Sequence, residues 1–118
     1  NHFRELEKEA LHESFNIPNA IISTGGGTPC FFDNIKQMNN NGMTFYLKLP
    51  QEVILSRLQK SMRERPLVKD KTEEELKQVI HDLFESRRDY YEKAYYAVDA
   101  SNKNALHYIT RILSGYMH

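Results

Sequence analysis

Phe3, Leu6, Ala10 and Leu11 recur at helical spacing, with Glu5, Glu7, Lys8 and Glu9 between them. The pattern predicts an amphipathic helix that ends near Ser14. Pro18-Asn19 breaks it, and Ala20-Ile21-Ile22-Ser23 is a short, β-branched run between turn residues, which predicts a buried strand of the parallel type. Thr24-Gly25-Gly26-Gly27-Thr28-Pro29 forbids any regular element. Asp33 can cap a short helix through Met38, terminated by Asn39-Asn40-Asn41-Gly42. Residues 44–49 form the second predicted strand, and Pro50 suits the first position of a helix with Val53, Ile54 and Leu58 as its buried stripe. Residues 62–71 are basic, contain a proline and read as a loop. Thr72 with Glu75 is a capping box, opening a helix to about Lys93 with Leu76, Val79, Ile80, Leu83 and Phe84 inward. Residues 96–100 are a third short strand. After a turn at Ser101 to Asn104, Leu106, Ile109, Ile112 and Leu113 mark a closing helix that stops at Gly115.

Strands and helices alternate, which argues for a single α/β domain over residues 1–118: a parallel sheet with helices on both faces. Three short strands are a meagre core for this much helix, so the chain is expected to be part of a larger domain. It opens Asn1-His2-Phe3-Arg4, without Met and already in helical rhythm, which points to a processed or truncated start.

At 118 residues, 40% hydrophobic and 11% aromatic, the chain has the size of one domain and too much apolar content for a disordered tail. Lys plus Arg is 16 and Asp plus Glu is 16, giving zero formal charge. A pI near 7.1 argues against a nucleic-acid partner bound through bulk positive charge, whose footprint is a domain pI above about 9. No apolar run approaches the roughly 18 residues of a spanning helix, and no charged-then-apolar leader opens the chain. Cys30 stands alone, which excludes an intrachain disulfide framework and fits a reducing compartment. A soluble, cytoplasmic monomer without membrane or nucleic-acid partners is expected.

Three constellations can carry chemistry. Three consecutive glycines after a strand either let a ligand approach the main chain or make a flexible turn; no GxGxxG or GxxxxGK[ST] accompanies them to decide. Arg63-Glu64-Arg65-Pro66-Leu67-Val68 is either a solvated basic loop or one whose planar guanidinium closes over phosphates. Arg4 and Arg87 sit on helices rich in acids; they either make surface ion pairs or converge as a bidentate clamp on a carboxylate. His2, His12, His81, His107 and His118 show no metal-ligand spacing and Cys30 has no CxxC partner, so neither a protein-held metal nor a cysteine nucleophile is expected. Tyr90, Tyr91, Tyr95 and Tyr96 read as helix-end packing.

In order along the chain, the pieces resemble shikimate kinase. Phe3-Arg4-Glu5-Leu6-Glu7 matches the family's FRxxE, and Ile22-Ser23-Thr24-Gly25-Gly26-Gly27 its strand followed by GGG. Arg65-Pro66-Leu67 matches the RPL of its lid, Arg87 with Tyr91 its R-x-x-x-Y, and Val98-Asp99 its last strand. The resemblance covers nearly the whole chain. It implies a P-loop, nucleoside-monophosphate-kinase-like fold with a five-stranded parallel sheet, and a lid at 62–71. It implies transfer of the ATP γ-phosphate, with Mg2+, to the 3-hydroxyl of shikimate in aromatic amino-acid synthesis. Arg4 and Arg87 would hold the shikimate carboxylate, Glu7 would orient Arg4, and Gly25, Gly26 and Gly27 would present backbone amides to the substrate. Arg65 would close with the lid onto the ATP phosphates. Arg57 would lie beside the adenine, and Ser101 to Asn104, including Lys103, on its other side.

The family opens with a strand, a P-loop, a helix and a second strand bearing an aspartate, and none of these occurs in the 118 residues. The chain is therefore expected to be the C-terminal portion of such a kinase, its magnesium ligands in the N-terminal segment, and to be inactive by itself. Two alternatives remain at this level: another small P-loop kinase acting on gluconate or a nucleotide, or an inactive kinase-like binding fragment.

Overall fold

The computed structural model describes residues 2–62 and 72–116. The order of elements is α1 (His2–Ser14), a 3-10 turn (Thr28–Cys30), α2 (Asn34–Asn41), β1 (Phe45–Lys48), α3 (Gln51–Met62), α4 (Glu73–Tyr91), β2 (Tyr96–Asp99) and α5 (Ala105–Tyr116). The Tyr96 N–H donates to the Thr44 carbonyl at 3.1 Å and the Ala100 N–H to that of Lys48 at 2.8 Å. Both bonds join residues 52 positions apart (44 to 96 and 48 to 100), an offset that stays constant only between parallel strands. β1 and β2 thus form a two-stranded parallel sheet, connected through α3 and α4. Among the described residues no helix is long and apolar enough to cross a membrane.

The chain divides into two compact units. The first takes in the residues up to Tyr46 together with Arg87–Tyr96. Here Leu11 and Ile35 are buried, Phe45 stacks on Tyr96 with ring centroids 5.3 Å apart, and the fully buried Asn34 donates from Nδ2 to the Thr28 carbonyl at 2.8 Å. The second takes in Leu47–Ser86 and the chain from Ala97 onward. Its core joins Leu55 to Leu76 and Ile80, with Ile54 packed against them, and Val98 is buried on β2.

Four sequence expectations need correction. No strand forms at 20–23, where Ile21 is 96% exposed; an extended segment becomes a strand only with a neighbour to accept its hydrogen bonds, and none of the described residues pairs with it. Asp33 precedes α2 without capping it, because its carboxylate accepts from the Gln37 side chain at 2.9 Å instead. The buried stripes are narrower than the apolar periodicity: Leu55 takes the place foreseen for Val53 and Leu58, and Val79 and Leu83 are exposed beside Leu76 and Ile80. Finally α5 runs through Gly115 to Tyr116, a helical glycine costing only about 1 kcal/mol relative to alanine. Thr72 caps α4, its hydroxyl accepting from the Glu75 N–H at 3.2 Å, which is one half of the capping box foreseen there.

Candidate active site

α1 places Arg4 and Glu7 one turn apart on the same face, where i,i+3 side chains meet. Arg4 Nη1 donates to Glu7 Oε1 at 2.8 Å, and the other carboxylate oxygen, Oε2, accepts from the Thr28 hydroxyl at 2.9 Å. Burial pushes the Glu7 carboxyl up, but hydrogen bonds from Arg4 and Thr28 and the charge of Arg4 outweigh it, so its pKa lies below the ordinary 4.5. A carboxyl with a lowered folded-state pKa stabilises the fold fully above its unfolded value and loses that contribution as pH falls through the folded value. The stability difference between the protein and its Glu7→Gln variant is therefore expected to be flat from neutral pH to about 5 and to shrink on further acidification, read by denaturant titration.

The glycine triplet lies against this pair. None of the glycines has a positive φ, so their role here is space and not left-handed backbone. A Cβ on Gly27 would sit 2.7 Å and 2.8 Å from the two terminal nitrogens of Arg4, and one on Gly26 2.9 Å from Nη1 of Arg87. The guanidinium of Arg4 also lies 4.0 Å from the centre of the Phe31 ring, within cation–π range. Arg87 and Tyr91 share a face of α4 at i,i+4, and the Tyr91 hydroxyl donates to the Gly26 carbonyl at 2.6 Å. Two arginines 83 positions apart thus border two adjacent glycines. The Cys30 thiol feels both: burial pushes its pKa up while the charges of Arg87 and Arg4 pull it down. Arg4 is paired with Glu7, and among the described residues Arg87 forms no ion pair. One positive charge is left over, suited to a planar anion.

With that geometry in view, the comparisons with known proteins are decisive. The shikimate kinase family model matches residues 1–116. The chain belongs to the shikimate kinase family. A shikimate kinase of Phocaeicola vulgatus is 44% identical over 92 residues, covering 78% of this chain and 53% of that protein. One from Parabacteroides distasonis is 44% identical over 98 residues, covering 83% and 57%. A crystal structure of shikimate kinase from Bacteroides thetaiotaomicron superposes with a TM-score of 0.81 at 35% identity, covering 98% of this chain and 67% of that one. The chain spans about half the length of the curated relatives it matches. Its fold is the α/β kinase fold of the family, a parallel sheet with helices.

Of the residues singled out from the shikimate kinase resemblance, the structure brings together Arg4, Glu7, Gly25, Gly26, Gly27 and Arg87, all in the first unit. Arg57 on α3 and Lys103 before α5 are exposed in the second unit, and among the described residues no hydrogen bond or ion pair joins them. Arg65 and the lid segment beyond Met62 lie outside the described residues. Three residues of the cluster carry no sequence signal for it: Thr28, Phe31 and Asn34. Tyr91 packs at the end of α4 as read, its ring centroid 5.2 Å from that of Tyr46, but its hydroxyl is spent on the Gly26 carbonyl rather than on water. The R-x-x-x-Y spacing, already one of the landmarks of the resemblance, puts it on the face of Arg87.

Proposed function

We propose that the full-length protein is an ATP-dependent shikimate kinase, and that this chain supplies the side of the site that grips the substrate's carboxylate. The observation that carries the reading is the approach of the Arg4 and Arg87 guanidinium groups to Gly27 and Gly26. Each guanidinium offers paired N–H donors that match a carboxylate in the plane. Arg4 uses one nitrogen on Glu7 and keeps donors to spare; Arg87 keeps its own. Holding the acid group at one end fixes the ring and presents one hydroxyl to the γ-phosphorus, so the gain comes from orientation.

In this reading the substrate's 3-hydroxyl attacks the γ-phosphorus, the bond to the bridging oxygen breaks, and ADP leaves. Gly25, Gly26 and Gly27 let the substrate approach the main chain, where amides are the available donors. Arg65 closes on the phosphates and stabilises the charge spreading over the transferring group, while Arg57 and Lys103 flank the adenine. Members of the family use Mg2+ with ATP; among the described residues no group of three His, Cys, Asp or Glu side chains is placed to hold a metal ion.

The test is to supply the full-length protein with ATP and either shikimate or gluconate and to follow ADP release. Phosphorylation of shikimate alone is expected. Equal turnover of gluconate, whose carboxylate the same arginines would accept, would make this a broader sugar-acid kinase. The 118 residues assayed alone contain no GxxxxGK[ST] phosphate cradle and are expected to release no ADP.

A further inference from the structure

Glu7 divides its two oxygens between different partners. Oε1 takes one N–H of Arg4 at 2.8 Å, and Oε2 is turned away to the Thr28 hydroxyl at 2.9 Å. A glutamate and an arginine one helical turn apart have an obvious alternative, the two-pronged pair in which both oxygens face the fork. That arrangement would be stronger for the pair and would spend a second Arg4 donor on Glu7. Thr28 stands in its way. Its side chain is nearly buried, its carbonyl is anchored by the fully buried Asn34, and its N–H is tied to the Gly25 carbonyl at 3.1 Å. The hydroxyl therefore sits at a fixed point, backed by Gly25, whose added Cβ would meet Thr28 Oγ1 at 3.6 Å and Glu7 Oε2 at 3.9 Å.

We propose that Thr28 is a positioning residue: by holding Glu7 Oε2 it keeps the Glu7–Arg4 pair one-pronged and leaves the remaining Arg4 donors for a substrate carboxylate. Thr28 touches no substrate in this scheme and acts through Glu7. The ionised state of Glu7 agrees with it, since an acceptor-only carboxylate is what two donors require. Phe31, with its ring centre 4.0 Å from the Arg4 guanidinium, is a second restraint on that group.

The inference rests on the carboxylate-clamp reading for its effect on binding, but its structural half does not. In the full-length protein, Thr28→Val keeps the shape and removes the donor. Calorimetry is expected to show shikimate bound about tenfold more weakly, the value of about one charge-assisted hydrogen bond, with ATP affinity unchanged. Thr28→Ser restores the hydroxyl and is expected to bind within about twofold of the parent. Combined with Glu7→Gln, the valine change should be strongly non-additive, which a packing role would not produce. A crystal structure of the Thr28→Val variant should show Glu7 facing Arg4 with both oxygens. Unchanged shikimate affinity in Thr28→Val, an equal loss in Thr28→Ser, or an equal loss for ATP would each overturn the proposal. Should the parent protein bind no shikimate, the functional reading falls, and the position of Glu7 in Thr28→Val decides this one alone: two-pronged supports it, unmoved refutes it.

Discussion

Replacing Arg87 with alanine in the full-length protein is expected to weaken shikimate binding by about 10- to 100-fold, the span covered by hydrogen bonds to a charged group, and to leave ATP affinity nearly unchanged. The asymmetry follows from position. Arg87 borders Gly26, and among the described residues no carboxylate pairs with it, so on the clamp reading its loss removes an arm meant for a ligand and breaks none of the ion pairs seen among those residues. Stability should move by no more than about 0.5 kcal/mol, as for a side chain outside any buried network. Arg87→Lys is expected to recover little, because a point charge does not reproduce the planar fork. Calorimetry with each ligand separately is the measurement; equal losses for both would remove Arg87 from the clamp.

Gly27→Ala should separate stability from function more sharply. The backbone of Gly27 is right-handed, with φ −87° and ψ −16°, a conformation alanine adopts freely. The substitution therefore costs the main chain nothing and restricts the unfolded chain, a gain of about 0.4–1 kcal/mol in favourable cases. The new methyl, however, would lie 2.7 Å and 2.8 Å from the two terminal nitrogens of Arg4. The tip of a long side chain can yield, and when it does Arg4 leaves its place beside Glu7 and over Phe31. The expected result is a melting temperature within a few degrees of the parent and shikimate affinity reduced by about tenfold or more. Gly42→Ala, outside the cluster and in extended backbone, is the control, since its methyl would meet nothing closer than 4.0 Å and should alter binding little. Equal behaviour of the two variants would show that the triplet is not there to make room for Arg4.

Much of the fold is legible in the chain because it is local. The helices at α1, α3 and α4 follow from apolar spacing and from caps such as Thr72, whose partner is three residues away. The Arg4–Glu7 pair is legible for the same reason. What is not legible depends on distant partners. Ile21 and Ile22 have the composition of a buried strand, but pairing is a property of two segments, and no described segment lies beside them. Spacing alone left Arg4 and Arg87 open between surface ion pairs and a clamp; only the ordered family landmarks suggested that they act together. Thr28 reaches Glu7 across 21 positions and Tyr91 reaches Gly26 across 65, so no window along the sequence contains either bond. The glycine triplet lies between these cases: a close approach to the main chain was readable, but not that the approaching groups are the protein's own arginines.

The separation of the two arms along the chain has a kinetic side. The Arg4–Glu7 contact can form as soon as α1 does, an event of about a microsecond for a helix of ordinary length. Arg87 arrives at Gly26 only after a loop of 61 steps (26 to 87) has closed, an entropic cost that must be met before any contact there rewards it. An acid gripped by both guanidinium groups then acts as a removable clasp between the start of the chain and the end of α4. Because both arms belong to the first unit and meet only when it has closed, such a ligand recognises only that closed arrangement. It stabilises that arrangement in proportion to the logarithm of its concentration over Kd, so on the clamp reading the pair of side chains that selects a substrate also reports that this unit has closed.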